Sequence, residues 1–339
     1  MTSKIRNISK LILSFSISVV FVYFAFRNIN ILELLQTLSS VKFYWVIVFF
    51  ICVSFAHLLR AWRWIYLLAP LKEKISLRNS FAAVNIGFAF NNIIPRGGEL
   101  VRPFAISKTE KISSTSAFST VVIERLLDSI TFFILVLIAF ALSPSAFKEL
   151  FPVLENYTTL VTYLMIALTL IFIYLIIKLE KLILILRKIS NLLSEKISNA
   201  INKQIDLLAN GAQVTWESDN AKKIIIISFL IWAFYIFEMF IIFYAFENFP
   251  KENIVIQTAV ILLVASSVAY LLPTPSGIGT YHTFIPFVLT GLYGVDQVTA
   301  LSYAVFTHGI GYFTTSIFGG YYFLKDKIHL KEVLHQPKQ

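Results

Sequence analysis

Asn91-Asn92-Ile93-Ile94-Pro95-Arg96-Gly97-Gly98-Glu99-Leu100-Val101-Arg102-Pro103 follows directly on an apolar run over residues 81–90. Two prolines, two adjacent glycines, two arginines and a glutamate stand where a helix has just been running. In a water-soluble chain this would be an ordinary surface turn. In a strongly apolar chain the same residues mark a helix broken inside or at the edge of a membrane, with N–H groups and cations gathered at the break. A second such stretch, Leu271-Leu272-Pro273-Thr274-Pro275-Ser276-Gly277-Ile278-Gly279-Thr280, again follows an apolar run. Gly/Pro interruptions at corresponding places in two halves point to a transporter-type site.

The composition decides the solvent. Of the 339 residues, 57% are hydrophobic and only 14% charged, with a mean hydropathy of +0.76. A soluble domain carries about 25% charged residues, so the chain reads as an all-α, polytopic membrane protein. The net charge of +10 serves first to orient the spans and second to attract anionic lipid. Nucleic acid is excluded as a partner, because the cations sit in short loops between spans. The single Cys52 excludes an internal disulfide and a Cys-based metal site, and no cofactor motif is present. The run 11–26 lacks a small-residue cleavage site and reads as a first span.

Further apolar runs cover 43–59, 115–142, 159–177, 224–246 and 298–323. The second ends at Arg60, Trp62, Arg63 and Trp64, a pattern expected where a helix leaves the bilayer. Between 181 and 210, Ile185, Ile189, Leu193, Ile197, Ile201 and Ile205 recur every four residues among Lys, Asn, Ser and Glu. That spacing predicts an amphipathic helix lying on the cytoplasmic surface. Lys/Arg-rich segments at both termini, 60–78 and 178–223 place these parts in the cytoplasm. The expected layout is about six full spans plus two re-entrant helical hairpins in an inverted repeat. Residues 1–150 form a first half with hairpin 81–106; residues 151–339 form a second with hairpin 254–292.

The first break offers phosphate chemistry. Gly97-Gly98 lets backbone approach a ligand, Glu99 or Leu100 starts a helix whose N–H groups suit an anion, and Arg96 and Arg102 add forked donors. The plainer reading is that both arginines mark the membrane edge and pair with Glu99 and lipid headgroups. Asn91 belongs to the same polar stretch. Glu124, Arg125 and Asp128 are costly inside a span, at about 2.5–3.5 kcal/mol for a central Arg or Asp. Glu124 and Asp128 share one helix face, so pairing with Arg96 or Arg102 is expected. Two such carboxylates are also the donor set of a metal or an acid–base pair. In the second break, Ser276, Gly277, Gly279 and Thr280 read as an anion nest with Tyr281 and His282 beside it, or as a turn that needs glycine for packing alone. Glu238 and His308 are single ionisable residues in apolar spans, which marks an interior polar route or a proton relay; a backbone-bonded histidine is the plain alternative for His308.

Three motifs in order, Pro-x-Gly-Gly-Glu-x-x-Arg, Glu-Arg-x-x-Asp and Pro-x-Pro-x-Gly-x-Gly-Thr, resemble those of the lysylphosphatidylglycerol synthase transmembrane (flippase-like) family. The resemblance covers nearly the whole chain. In that family's multiple peptide resistance factors it implies movement of aminoacylated phosphatidylglycerol between leaflets, next to a soluble aminoacyl-transfer domain that these 339 residues have no room for. The expectation is a non-enzymatic, multi-pass protein of the cell's inner (plasma) membrane. It would move an anionic or glycosylated phospholipid or a polyprenyl-phosphate lipid. Alternatives are a membrane anchor for a separate synthase or glycosyltransferase, and an intramembrane transferase.

Overall fold

A membrane chain satisfies its backbone internally, as helices or as a closed barrel, and long apolar runs punctuated by Gly and Pro select helices. A computed structural model describes residues 3–143 and 156–328, apart from 193, 196–197, 200–201, 203–204, 207–219, 251 and 253–254. Among these, every regular element is helical. They run as α1 (Ser3–Phe26), α2 (Ile31–Ser40), α3 (Phe43–Leu68), α4 (Leu77–Asn91), α5 (Gly98–Glu110), α6 (Ser114–Leu142), α7 (Thr158–Ile177), α8 (Leu179–Ser190), α9 (Ala221–Ile241), α10 (Ile256–Leu271), α11 (Thr280–Tyr293) and α12 (Gln297–Lys325). Side chains fix several starts. Asn30 accepts from Leu32 N, Ser113 from Ser116 N and Asp296 from Thr299 N, each satisfying an N–H that the first turn leaves unpaired.

The span count differs from the expected one. Three described helices are long and apolar enough to cross a membrane: Phe43–Leu68, Ser114–Leu142 and Ala221–Ala245, the last including a 3-10 turn. A bent pair, Leu11–Phe26 and Ile31–Ser40 at 86°, makes a fourth if taken as one span. Six spans plus two hairpins are therefore not what these helices form. Length is one reason: α10 has 16 residues and α11 has 14, about 24 and 21 Å at 1.5 Å per residue, against a hydrocarbon core of about 30 Å. The long α12 is diluted by His308, four glycines and several hydroxyl residues. The second span also ends later than expected, because α3 runs on through Arg60 and Arg63 to Leu68. The expected surface helix 181–210 is described over α8 and at scattered positions beyond; much of 193–210 lies outside the described residues.

Helices from the two expected halves interleave. Each break joins a packed pair, α4 with α5 and α10 with α11, while α12 packs along α4, α9 along α3 and α1 along α11. At the α12–α4 crossing a Cβ on Gly319 would stand 2.3 Å from Ala89 Cβ and 2.5 Å from Asn85 O, so only glycine permits that approach. Two large apolar cores result, beside two smaller clusters. One gathers Leu67, Ile86, Val101, Ile106 and Val121 around the first break; the other gathers Phe243, Leu262, Ile285, Leu289 and Tyr303 around the second.

A polar corner closes the α3–α4 connection. Glu110 at the end of α5 accepts from Lys72 Nζ (2.5 Å), Ser76 N (3.0 Å) and Asn79 Nδ2 (2.8 Å). Burial pushes this carboxyl up, but the three donors outweigh that effect and hold it below the usual carboxylate range.

Candidate functional site

One turn of α6 carries Glu124 and Asp128 on the same face, and one turn of α3 carries Arg60 and Arg63 likewise. The two faces meet. Arg60 Nη2 donates to Glu124 Oε1 and to Asp128 Oδ2, both at 2.9 Å, and Arg63 Nη1 donates to Asp128 Oδ1 at 2.7 Å. Arg63 Nη2 lies 3.2 Å from Glu124 Oε1. From α5, Arg102 grips Glu124 with both terminal nitrogens, Nη2 to Oε2 at 2.6 Å and Nη1 to Oε1 at 3.3 Å. Its guanidinium also lies over the Trp64 ring, 4.0 Å from the centroid. Two groups on α9 complete the shell: Tyr235 OH accepts from Arg60 Nη1 at 2.9 Å and Ser228 Oγ from Arg63 Nη1 at 3.1 Å.

The charges do not cancel. Arg60, Arg63, Arg102 and Arg125 set four positive groups against the three carboxylates of Glu124, Asp128 and Glu99, which leaves +1. Glu124 and Arg63 side chains are 0% exposed, whereas Arg125 is 42% and its partner Glu99 38% exposed, at a long 3.7 Å. The cluster thus has a sealed interior and an accessible edge. The Nε atoms of all four arginines and Nη2 of Arg63 are buried without a hydrogen-bond partner. Every carboxylate oxygen of Glu124 and Asp128 already faces a guanidinium, so none is free for the metal or acid–base role weighed from the sequence.

At the first break the expected geometry is only partly met. Arg102 pairs with Glu124, but Arg96 does not reach the carboxylates; its Nη2 donates to Leu271 O at 3.2 Å, the last residue of α10. Arg96 itself sits at φ 59°, left-handed backbone that a side chain rarely adopts. The N–H groups expected to greet an anion are engaged within the turn. Gly97 N donates to Ile94 O, Glu99 N to Arg96 O, and Gly98 N to Asn91 Oδ1 at 2.8 Å. Gly98 serves packing: a Cβ there would lie 1.9 Å from Gly87 O on α4. Asn92, which the sequence reading left aside, donates to Tyr312 O, Thr315 Oγ1 and Ser316 Oγ of α12.

At the second break several N–H groups are likewise taken up by the protein itself. Gly277 N donates to Thr274 O and Ile278 N to Pro275 O, while Gly279 N donates to His282 Nδ1 at 3.4 Å. A Cβ on Gly279 would stand 2.5 Å from Ser18 O of α1, so close helix approach explains that glycine. Thr280 is fully buried, donating to Ala269 O and Gly277 O, and Tyr281 OH meets Thr307 Oγ1 at 3.1 Å. His308 Nε2 bonds to Ser276 O at 2.8 Å, the plain alternative for that residue, and its ring lies 4.7 Å from that of His282. Glu238 on α9 is 7% exposed, and its Oε1 is buried without a hydrogen-bond partner.

Arg60 and Arg63 are the site residues the sequence reading missed. Arginine beside tryptophan reads as an interface belt, yet Ile65-Tyr66-Leu67-Leu68 continues the apolar helix past it. Two same-face arginines three apart also match the two same-face carboxylates four apart, and that was the available signal.

Known proteins match along nearly the whole chain. The family model for the lysylphosphatidylglycerol synthase TM region matches residues 11–319. This family describes a membrane region, consistent with a non-catalytic, transport-type domain rather than an active enzyme. A UPF0104 membrane protein of Methanocaldococcus jannaschii is 27% identical over 323 residues, 92% of this chain and 94% of the relative. Another from Pyrococcus horikoshii is 22% identical over 302 residues, covering 85% and 88%. A third, from Methanothermobacter thermautotrophicus, is 34% identical over 76 residues, 22% of each chain. No solved structure gives a significant match.

Proposed function

We propose, from the premise that this chain belongs to the lysylphosphatidylglycerol synthase TM region family, that it moves a lipid between the leaflets of the membrane it crosses. The lipid is an anionic or glycosylated phospholipid or a polyprenyl phosphate. The observation that carries this reading is the excess of guanidinium groups where α3, α5 and α6 meet. A purely structural ion cluster gains most by balancing its charges, because unpaired buried charge is expensive. A surplus cation, several N–H groups without partners and an exposed edge at Arg125 together suit a phosphate, whose oxygens take forked guanidinium bonds. In this reading Arg125 and Glu99 meet the headgroup first, Arg102 and Arg96 follow, and Asp128 and Glu124 keep the arginines oriented. The acyl chains stay in lipid. The host is the cell's inner (plasma) membrane with both termini cytoplasmic, the orientation that the Lys/Arg-rich segments favour.

Labelled phospholipids in proteoliposomes test this through their accessibility to a membrane-impermeant quencher. Arg125→Ala is expected to slow exposure about tenfold or more, the equivalent of roughly 1.4 kcal/mol. Equal rates for wild type, Arg125→Ala and protein-free vesicles would remove the reading.

A second reading, an anchor for a separate synthase or glycosyltransferase, draws on Leu184, Ile185 and Ile189, exposed together on α8. It predicts that polar substitutions on α8 abolish function while Arg125→Ala leaves it intact.

A further inference from the structure

Between the arginine cluster and the second break lies one ionisable group that neither uses. Glu238 sits in the span Ala221–Ala245, 7% exposed, with Oε1 buried and unpartnered. Its surroundings come from three helices. Tyr235 stands one turn earlier on α9, and at the next position, Met239, Tyr281 OH of α11 comes within 3.9 Å of Sδ and Tyr303 OH of α12 within 3.8 Å. None of these is a cation. The nearest link to positive charge is Tyr235, whose hydroxyl takes a 2.9 Å hydrogen bond from Arg60, and that guanidinium is committed to Glu124 and Asp128. The phenols are occupied as well: Tyr281 meets Thr307 Oγ1 at 3.1 Å, and Tyr303 donates to Met239 O at 2.5 Å. On the far side, the Tyr281 ring lies 5.5 Å from His308, which leads to His282 and the carbonyl of Ser276.

An ionised carboxyl in this place would stand without the counter-charge and hydrogen bonds that burial demands. The smallest partner that satisfies it is a proton. Ionisable residues inside a membrane domain, placed between two polar sites, are the usual stations of proton movement. We propose that Glu238 is a proton-binding site, its carboxylate taking a proton from water to form the neutral acid and returning it on release. We further propose that this occupancy sets the rate of lipid movement, a clause that rests on the lipid-moving reading above. A row of groups, Arg60, Tyr235, Glu238, Tyr281 and His308, would then join the headgroup site to the second break.

Infrared difference spectroscopy tests the site without any lipid substrate. The full chain in phosphatidylcholine vesicles is taken from alkaline to acid pH, and the carboxylic C=O band is followed by its shift in heavy water. Loss of one buried band in Glu238→Gln, its displacement in Glu238→Asp and its retention in Glu247→Gln, an exposed neighbour, are expected. Identical spectra for wild type and Glu238→Gln would overturn the proposal. A pH gradient imposed across vesicles tests the coupling: wild type should change its lipid-exposure rate and Glu238→Gln should not respond. A gradient response of wild-type size in Glu238→Gln overturns the coupling alone. Wild-type vesicles that show the band but move no lipid would sink the lipid reading and leave the proton site standing.

Discussion

Arg96 and Leu271 stand 175 positions apart in the chain, yet the Arg96 guanidinium donates to the Leu271 carbonyl at 3.2 Å. Each belongs to one of the two Gly/Pro breaks, so a single side chain ties the interruptions together. The carbonyl it satisfies is one that the end of a helix leaves without an intrahelical partner. Arg96 pays for this reach with left-handed backbone at φ 59°. Arg96→Gly should therefore fold more stably than Arg96→Ala by about 1 kcal/mol, since both lose the bond and only glycine accepts that conformation freely. Chemical unfolding of the two variants side by side checks this; equal midpoints would mean that the turn relaxes around alanine.

Removal of Glu124 takes away the carboxylate that Arg102 grips and leaves Arg60 and Arg63 with Asp128 alone. Glu124→Ala is expected to cost about 3–5 kcal/mol, the range for stranding a buried charge. Asp128→Asn should cost less, because the amide oxygen still accepts from Arg60 or Arg63. Unfolding in mixed detergent micelles would rank the two variants.

Gly98→Ala forces a methyl into space held by Gly87 O, 1.9 Å away. Helices α4 and α5 must then separate, at about 1–3 kcal/mol or more. Gly309→Ala meets nothing within 4 Å and serves as its control. Thermal scans should show a clear loss for the first substitution and little change for the second.

Glu110 gives the stability an acid limb. Its carboxyl is held below the usual carboxylate range, so its contribution is fully present above the unfolded-state value and is lost as pH falls through the lower, folded value. Glu110→Gln should lower stability at neutral pH and flatten the decline on the acid side. Unfolding midpoints collected across the acid range for both proteins decide it.

Much of the helical plan is readable from residues alone, because apolar runs and Gly/Pro breaks act locally. The α4–α5 and α10–α11 boundaries fall within a few residues of the expected ones for that reason. The span count was harder, since α10 and α11 look like bilayer segments in composition but are too short in length. At the site, Glu124, Arg125 and Asp128 stood out by their cost in an apolar helix, and Arg102 by its place at the Gly/Pro break. Arg60 and Arg63 did not, since their tryptophan neighbours imitate a membrane edge. What the glycines at positions 98 and 279 do was also hidden from the sequence. Whether a glycine admits a ligand or another helix depends on what approaches it, and in both cases that is the backbone of a different helix, Gly87 of α4 and Ser18 of α1.

The seat of α1 against Gly279 bears on how the molecule is made. Ser18 O lies over that glycine, and Thr283 Oγ1 donates to Phe21 O across 262 positions. Helix α1 thus leaves the ribosome long before the neighbour it packs against is made. The ion pairs between α3, α5 and α6, by contrast, all close within the first 142 residues. Synthesis should deliver an early, charge-locked nucleus with α1 adrift in lipid until the closing helices arrive, and a chain stalled after α6 should already shield its arginines.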